Sequence, residues 1–227
     1  GVYLKKDRVY GGFPMKSKHT FLSYPAGLLG VLFLISFSVT VVLNARFLYY
    51  QDLDALSAST GLSKEAIQED YDTLIDYNLF FHHEDLVFPN LPQSEEGHIH
   101  FQEVRQIFVL LQDTCLISGP LFFLAAFYLL KKQKNPLFLK ITWIAGTLLP
   151  LVIGTIAFFF WDWLFVAFHQ LVFRNDYWLF DPATDPIIDL LPDSYFFRCL
   201  VCIVLLLLIF TQLCGLLYRK FSRKRPA

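Results

Sequence analysis

Two histidines stand next to long apolar stretches of this sequence, and the chemistry that they offer is proton transfer. His100 precedes an apolar run that starts near Ile107, and His169 follows a run that ends near Phe160. A histidine side chain accepts or donates a proton near neutral pH, which is the property that acid–base catalysis needs. If both runs are helices that cross a membrane, a rise of about 1.5 Å per residue leaves both histidines at the same membrane level. We therefore expect an acid–base pair, against the alternative that each histidine is structural.

Further ionisable residues lie near the same boundary. Arg105 stands just before the second apolar run, and Asp162 follows the third. An ionisable side chain at this depth is costly to place, so it points to a functional site. Aromatic rings are dense in the segment 161–180, around His169. A belt of aromatic residues is common at membrane interfaces and explains these rings, but it does not explain the histidines.

A metal site is the competing interpretation of the histidines. The segments 82–85 and 98–100 supply imidazole and carboxylate groups, which are ligands for zinc. However, the residues after His83 lack the second histidine of an HExxH motif. The sequence also has no GxSxG elbow, no phosphate-binding glycine loop and no dinucleotide fingerprint. We expect no metal and no cofactor, and we interpret His82, His83 and His98 as surface residues.

The composition places these side chains in a membrane protein. Of the 227 residues, 55% are hydrophobic, 18% are aromatic and only 17% are charged, and the mean hydropathy is +0.46. A soluble domain usually carries about 25% charged residues. The net charge of -1 and the pI near 6.6 provide no basic surface for nucleic acid. We therefore expect an integral membrane protein that does not bind nucleic acid.

Four stretches are long and apolar enough to cross a bilayer, which takes about 20 helical residues. A helix satisfies all of its backbone hydrogen bonds inside hydrocarbon. The predicted fold class is therefore all-α, with four transmembrane helices, the third bent at Pro150, and a small extracellular cap. The predicted transmembrane helices are 21–50, 105–131, 138–169 and 196–218. They separate a cytoplasmic N-terminal segment (1–20), the cap (51–104), a cytoplasmic loop (132–137), an extracellular loop (170–195) and a basic cytoplasmic tail (219–227).

The start of the sequence allows two interpretations. Met15 is the only methionine, so residues 1–14 either precede a native start or belong to the natural chain. The first apolar stretch is too long for a signal peptide, and no good cleavage site follows it. We expect this stretch to be retained as a transmembrane helix.

The basic residues predict the orientation. Fourteen of the nineteen Lys and Arg residues lie before the first helix, between the second and third helices, or after the fourth. The positive-inside rule places these segments, and both termini, in the cytoplasm. The opposite face is acidic, with twelve carboxylates from Asp52 to Glu103 and five from Asp176 to Asp193. We expect a membrane protein whose histidines face the outer leaflet.

The cap is predicted to contain one amphipathic helix, 64–77. Ser63 is a good N-cap, and Ile67, Tyr71 and Leu74 follow at helical spacing. This apolar stripe packs either on the rest of the cap or on the membrane surface. The segments 79–81 and 86–88 are apolar and are expected to form short strands.

Two motifs around the histidines occur in a known family. The first runs from His100 to an acidic residue, Glu103, then valine and a basic residue, Arg105. The second is longer and consists of Asp162-Trp163-Leu164-Phe165, His169, Phe173, Asn175, Trp178, Asp181-Pro182, Asp185-Pro186, Leu191-Pro192 and Phe196-Phe197. With these motifs the sequence resembles the bacterial lipoprotein intramolecular transacylases from about residue 20 to 220. Glu103 stands where aspartate is more usual in that family.

The resemblance implies an enzyme of the bacterial plasma membrane with catalytic histidines at His100 and His169. Such enzymes move the sn-2 acyl chain of a diacylglyceryl-cysteine lipoprotein to the α-amine of its N-terminal cysteine, which yields the lyso form. The implied partners are diacylated bacterial lipoproteins and membrane lipid. No cofactor is implied, because the acyl donor is already an ester.

Attack by the amine on the ester carbonyl closes an eight-membered ring, which consists of N, Cα, Cβ, S, two glyceryl carbons, the ester oxygen and the acyl carbon. Rings of this size close poorly in a flexible chain. We expect the enzyme to hold amine and ester in register, while one histidine removes the ammonium proton and the other donates to the oxyanion or the leaving oxygen. The sequence does not say which does which. Asp162 or Glu103 is expected to orient an imidazole, and Arg105 to bind a carbonyl or the peptide backbone. Asn175 and Trp178 are further candidates for substrate binding.

Two alternatives from other classes remain open at this point. The first is a membrane receptor or assembly factor whose acidic cap binds a partner. The second is a metal-dependent membrane hydrolase.

Overall fold

The computed structural model describes residues 21–223, and these form helices joined by short connections, with no strand among them. The predicted segment 1–20 and the last four residues of the predicted basic tail lie outside the described residues. Eight α-helices and one 3₁₀ helix follow one another within residues 21–223. They are α1 (Ser23–Leu43), α2 (Phe47–Tyr50), α3 (Leu53–Thr60), α4 (Lys64–Tyr77), α5 (Glu95–Lys131), α6 (Leu137–Phe159), α7 (Trp161–Val172), the 3₁₀ helix (Pro186–Leu190) and α8 (Asp193–Arg223).

The four long helices α1, α5, α6 and α8 have the length and hydropathy to cross a membrane, which confirms the predicted fold class. Helix α1 is central, since it contacts α5, α6 and α8, and α6 also packs along α8. Small residues allow these helices to approach one another closely. A Cβ atom at Gly30 of α1 would lie 2.5 Å from Thr142 Oγ1 and 2.6 Å from the ring of Phe122. Such contacts hold membrane helices together where lipid gives no hydrophobic driving force.

The predicted third helix, 138–169, consists of two helices in the structure. Helix α6 runs through Pro150 and ends at Phe159, and α7 starts at Trp161 after Phe160 leaves helical geometry, with φ -141° and ψ 48°. The break leaves few backbone groups unpaired, because Phe160 N donates to Ile156 O and Phe160 O accepts from Leu164 N. The membrane-spanning helix α6 therefore ends at this break, and His169 belongs to the separate helix α7.

The cap is built around a small core of aromatic and aliphatic side chains. Helix α4 has the predicted bounds, and Ser63 Oγ accepts from Ala66 N at 3.2 Å as its N-cap. Ile67, Tyr71 and Leu74 are all buried, so this stripe packs inside the cap and not on a membrane. Burial raises the pKa of Tyr71 to about 12, so its phenol stays neutral in the hydrogen bond with Tyr195 of α8.

The prediction of two short strands in the cap is wrong. Residues 79–81 form a turn after α4, and residues 86–88 are irregular. Backbone groups here pair with side chains of other elements instead of a second strand. For example, Phe80 N donates to Gln112 Oε1 of α5, and the Gln112 amide nitrogen donates to Asn78 O.

Helix α5 begins ten residues before the predicted start of the second transmembrane helix, so it carries His100. Ser94 Oγ accepts from Gly97 N at 2.9 Å and caps the helix, and Glu95 and Glu96 favour the positive helix start. The first turns of α5 belong to the cap, while its apolar remainder crosses the membrane. One continuous helix therefore links the cap to the membrane-spanning part.

Candidate active site

The two histidines meet in the folded chain. The ring centroids of His100 in α5 and His169 in α7 are 6.2 Å apart. His100 lies in the second turn of α5, and His169 lies in the last turn of α7. The break at Phe160 contributes to this meeting, because it starts the separate helix that bears His169. The predicted pair is therefore brought together.

Aromatic rings enclose the pair. Phe173, the residue after α7, packs on both imidazoles, at 4.7 Å from His100 and 5.6 Å from His169. The ring centroid of Phe180 is 5.4 Å from that of His100, and the ring centroid of Phe165 is 4.2 Å from that of His169. His100 is 5% exposed. The site is thus largely apolar, so each hydrogen bond in it is worth more than the same bond in water.

The two ring nitrogens of His169 have different environments. Nδ1 lies 2.7 Å from Phe165 O. A carbonyl oxygen only accepts, so Nδ1 must carry the hydrogen. In the neutral ring the lone pair is then on Nε2. Burial lowers the pKa of His169, and the bond to Phe165 O partly offsets this effect.

His100 is held differently. Its Nδ1 atom is buried and has no hydrogen-bond partner among residues 21–223. Buried N–H groups without a partner are rarer in proteins than buried acceptors without one. The less costly neutral form has its lone pair on Nδ1 and its hydrogen on Nε2. The preferred neutral tautomers of His100 and His169 therefore differ.

Glu103 and Asn175 form a link beside the histidines. Glu103 is three residues after His100 on α5, and its two carboxylate oxygens accept from the amide nitrogen of Asn175 at 3.0 and 3.2 Å. Asn175 follows α7, and its Oδ1 accepts from Tyr177 N. The link ties the end of α7 to α5. Glu103 makes this contact with Asn175 instead of with an imidazole.

Trp178 stacks near the second histidine. Its ring centroid is 4.8 Å from that of His169. Its indole nitrogen is buried without a hydrogen-bond partner in the described part of the chain. A buried N–H donor of this kind needs an explanation, and a ligand that accepts from it is one.

Two predicted residues lie apart from the pair. Arg105 donates from Nε to Tyr77 O at 2.7 Å and from Nη2 to His82 O, and its guanidinium stacks on the Tyr77 ring. It therefore holds the cap to α5. Asp162 is exposed in the first turn of α7, two turns or about 10 Å before His169 along the helix. At that position it favours the positive helix start and does not reach the imidazole.

The structure adds two residues that sequence reasoning missed. The carboxylate of Asp185, which is 2% exposed, accepts from Ser94 N at 2.8 Å at the start of α5. Gly97 makes room for it, because a Cβ atom there would lie 2.2 Å from Asp185 Oδ1 and 3.2 Å from Phe180. Asp185 stands in the resembling motif, but its contact with a residue 91 positions away follows from no local spacing.

The described histidines outside the pair, His82, His83 and His98, form no cluster that suits a metal. His98 Nε2 lies 3.3 Å from Asp85 and 2.8 Å from the amide of Gln102. Within residues 21–223, no group of three His, Cys, Asp or Glu residues is placed to hold a metal ion.

Comparison with known proteins gives one family. The family model described as lipoprotein intramolecular transacylase Lit matches residues 26–196. The solved structure of the membrane-integral lipoprotein intramolecular transacylase Lit from Bacillus cereus is similar, with a TM-score of 0.87, 31% identity, and coverage of 91% of this chain and 96% of that chain. Two variants of that protein, in which a histidine is replaced by arginine or by alanine, match with TM-scores of 0.80 at 30% identity and 91% coverage of this chain. These matches cover 92% and 94% of the two variant chains. No curated protein matches the chain.

Proposed function

Because the chain belongs to the lipoprotein intramolecular transacylase (Lit) family of membrane enzymes, we propose that it moves the sn-2 acyl chain of a diacylglyceryl-cysteine lipoprotein to the α-amine of that cysteine. The observation that carries the proposal is the contact between His100 and His169, which lie 6.2 Å apart. His100 is buried and His169 is half-buried among aromatic rings, and the hydrogen-bond environments of the two imidazoles favour different tautomers. Proton transfer in an apolar site is what the reaction requires.

The reaction forms one bond and breaks one bond. The neutral amine attacks the ester carbonyl and gives an eight-membered cyclic tetrahedral intermediate, in which the new C–N bond and the old C–O bond are both present. Collapse breaks the C–O bond and releases the glyceryl oxygen, which takes up a proton. The amine loses a proton, so the overall proton count is unchanged.

His169 is the proton carrier in this proposal. Its Nδ1 hydrogen is committed to Phe165 O at 2.7 Å, so Nε2 is free to take the proton from the amine. The same nitrogen then delivers that proton to the departing glyceryl oxygen. Because burial lowers the pKa of His169, the imidazolium is a ready donor once it forms.

His100 is the oxyanion donor. Its buried, unpartnered Nδ1 favours a hydrogen on Nε2, which then points to the carbonyl oxygen of the substrate. A fixed donor at the developing oxyanion stabilises the transition state, and the loss of one such donor typically costs about 10²- to 10³-fold in rate.

The other candidates have supporting roles. Glu103 and Asn175 keep α7 against α5 and so set the distance between the imidazoles. The unpartnered indole N–H of Trp178 binds a carbonyl of the substrate, either of the ester or of the peptide. Arg105 and Asp162 position the cap and α7 and do not contact the reacting atoms.

The protein is a multi-pass membrane protein, and we infer that its site faces the outer leaflet with both termini in the cytoplasm. The distribution of Lys and Arg supports this orientation. The substrates are then diacylated lipoproteins anchored in the outer leaflet, and no cofactor takes part.

A synthetic diacylated lipopeptide tests the proposal. The purified protein is expected to leave the mass of the lipopeptide unchanged and to shift one acyl chain to nitrogen, which fragmentation by mass spectrometry reveals. His100→Ala and His169→Ala are each expected to lose about 10² or more of the rate. His83→Ala, which changes an exposed histidine of the cap, is the matched control.

The outcomes separate the three function classes. A product that is lighter by a fatty acid, with loss of activity on chelation, indicates the metal-dependent hydrolase. No conversion by the wild-type protein supports the receptor or assembly factor. Full activity of both alanine variants contradicts the two-histidine mechanism.

A further inference from the structure

An apolar groove separates α6 from α8 in the half of the membrane nearer the cap. It has a volume of about 280 Å³ and is lined by both helices. The α6 wall includes Pro150, Gly154 and Phe158, and the α8 wall includes Phe197 and Val201. The hydroxyl of Thr155 in its lining donates to Leu151 O. The lining therefore offers mainly apolar surface to an occupant.

The helices are closely packed in the other half, so the gap is a wedge. A Cβ atom at Gly146 of α6 would lie 2.6 Å from Thr211, and one at Gly215 of α8 would lie 2.7 Å from Trp143. Thr147 also donates to Thr211 at 3.1 Å. Nearer the cap, the Cβ position of Gly154 is 3.4 Å from Val204, an ordinary contact. The α6 wall rises from Pro150 to Phe159, about 14 Å, which is close to one leaflet of a 30 Å hydrocarbon core.

The groove is continuous with the histidine site through one face of α7. Trp161, Phe165 and His169 follow at intervals of four residues and so lie on the same face. The ring centroid of Trp161 is 5.2 Å from that of Phe197 in the groove. Further along α7, the ring centroid of Phe165 is 6.1 Å from that of Trp161 and 4.2 Å from that of His169. These rings form an unbroken apolar track from the groove to the imidazole that the mechanism uses.

We propose that this groove and track hold the sn-2 acyl chain of the substrate, with the ester carbonyl at the histidines and the chain end between α6 and α8. The proposal rests on the proposed function. The acyl carbon keeps its chain when its bond to oxygen is replaced by a bond to nitrogen. A held chain therefore fixes the electrophile throughout the reaction, and only the amine and the glyceryl oxygen change places on it.

The groove contributes position and not hydrophobic affinity. An acyl chain outside the groove would be in bilayer hydrocarbon, which is equally apolar. The benefit is that the carbonyl stays in register with both imidazoles, and a misplacement of about 1 Å can cost on the order of 10²-fold in rate. A blocked groove should thus act on long sn-2 chains and spare chains too short to reach it.

Gly154→Phe tests this dependence on chain length. Two lipopeptides are compared that share a hexadecanoyl sn-1 chain and carry either a hexadecanoyl or an octanoyl sn-2 chain. We expect the variant to lower the ratio of kcat/KM for long over short sn-2 chains by about tenfold or more. Turnover of the octanoyl substrate shows that the variant is folded. Leu149→Phe is the control, because Leu149 is 44% exposed on α6 and is not part of the groove lining. An unchanged ratio in Gly154→Phe, or an equal change in Leu149→Phe, overturns the proposal.

Photocrosslinking of the wild-type protein in a lipid bilayer tests the occupant directly. A diazirine at the end of the sn-2 chain is expected to label residues 150–159 and 197–205, while the same group on the sn-1 chain labels other lipid-facing positions. Even labelling of all four long helices, as bulk lipid would give, overturns the proposal, and so does labelling of the groove by the sn-1 chain alone. If the sn-2 label is in the groove but no acyl transfer occurs, the groove assignment is supported and the proposed function fails.

Discussion

The chemistry of the site depends on which ring nitrogen of each histidine carries a hydrogen. His169 donates from Nδ1 to Phe165 O, a carbonyl four residues earlier in the same helix. That bond is local, so the tautomer is set by α7 itself. His100 has no such bond at its buried Nδ1, and its preference comes from the cost of burying a donor without a partner. In the proposed mechanism, the two imidazoles therefore take different roles.

The pH dependence of the rate follows from the lowered pKa of His169. The α-amine of the free lipopeptide has a pKa of about 8, so log kcat/KM should rise with a slope of one as the pH approaches that value. His169 keeps its lone pair down to a pH below its ordinary 6.5, because burial disfavours the imidazolium. We expect the slope to steepen to two only below pH 6.5.

A steady-state pH profile with a soluble diacylated lipopeptide in detergent measures this steepening. Thermal unfolding over the same pH range is the control for loss of the fold. A steepening at or above pH 6.5 would contradict the assignment of His169 as the proton carrier.

At the scale of elements, the start of α5 determines where His100 stands. Ser94 caps the helix, and the Asp185 carboxylate accepts from the backbone N–H of the same serine at 2.8 Å. Asp185 also accepts from the hydroxyl of Thr184, so it has little freedom to move. Gly97 allows this arrangement, and Phe180, which covers His100, packs beside it.

Gly97→Ala should therefore impair the site without breaking the helix. The added methyl group would lie 2.2 Å from Asp185 Oδ1 and must displace the loop that carries Phe180. We expect a decrease in kcat of about 10- to 100-fold in the lipopeptide assay.

Gly61→Ala is the matched control for that variant. Gly61 has a φ of +76° and no atom within 4 Å of its Cβ position. The substitution strains the backbone by about 1 kcal/mol, so it should lower thermal stability and leave kcat unchanged. Wild-type kcat in Gly97→Ala would show that the start of α5 does not position His100.

At the scale of the whole molecule, charged side chains hold the cap to the membrane helices. Arg198 of α8 pairs with Asp52 and also donates to Leu48 O at 3.3 Å. Arg46, just after α1, pairs with Asp72 at 2.8 Å and with Asp76 on α4. These pairs are partly buried, so they are screened less than surface pairs. They orient the cap over the ends of α1 and α8.

Asp52→Ala should destabilise this connection. It leaves the Arg198 guanidinium without its carboxylate in a partly buried place, at a cost of about 1–3 kcal/mol. We expect a lower thermal unfolding temperature in detergent and faster proteolysis of the cap. Lys64→Ala removes a partner of the well-exposed Asp54 and is expected to leave both measurements near the wild-type values. Equal unfolding temperatures for the two variants would contradict the role of Asp52.

Much of the fold could be predicted because it depends on local sequence. The four membrane helices follow from hydropathy, and α4 follows from its N-cap and its apolar spacing. The break at Phe160 could not be predicted, since no proline or glycine stands at this position. The two strands failed because the isolated apolar triplets had no partner strand, a property that triplets alone do not reveal.

The sequence by itself determined the membrane class, the number of crossings, the family and the two histidines, because residue type and spacing along the chain carry that information. Only the tertiary structure decided that the histidines meet, that Glu103 pairs with Asn175, that Arg105 holds the cap, and that Asp185 braces the start of α5. These contacts join residues 23 to 91 positions apart in the chain. Such distances are closed by packing of whole helices and loops, and short-range spacing does not encode them.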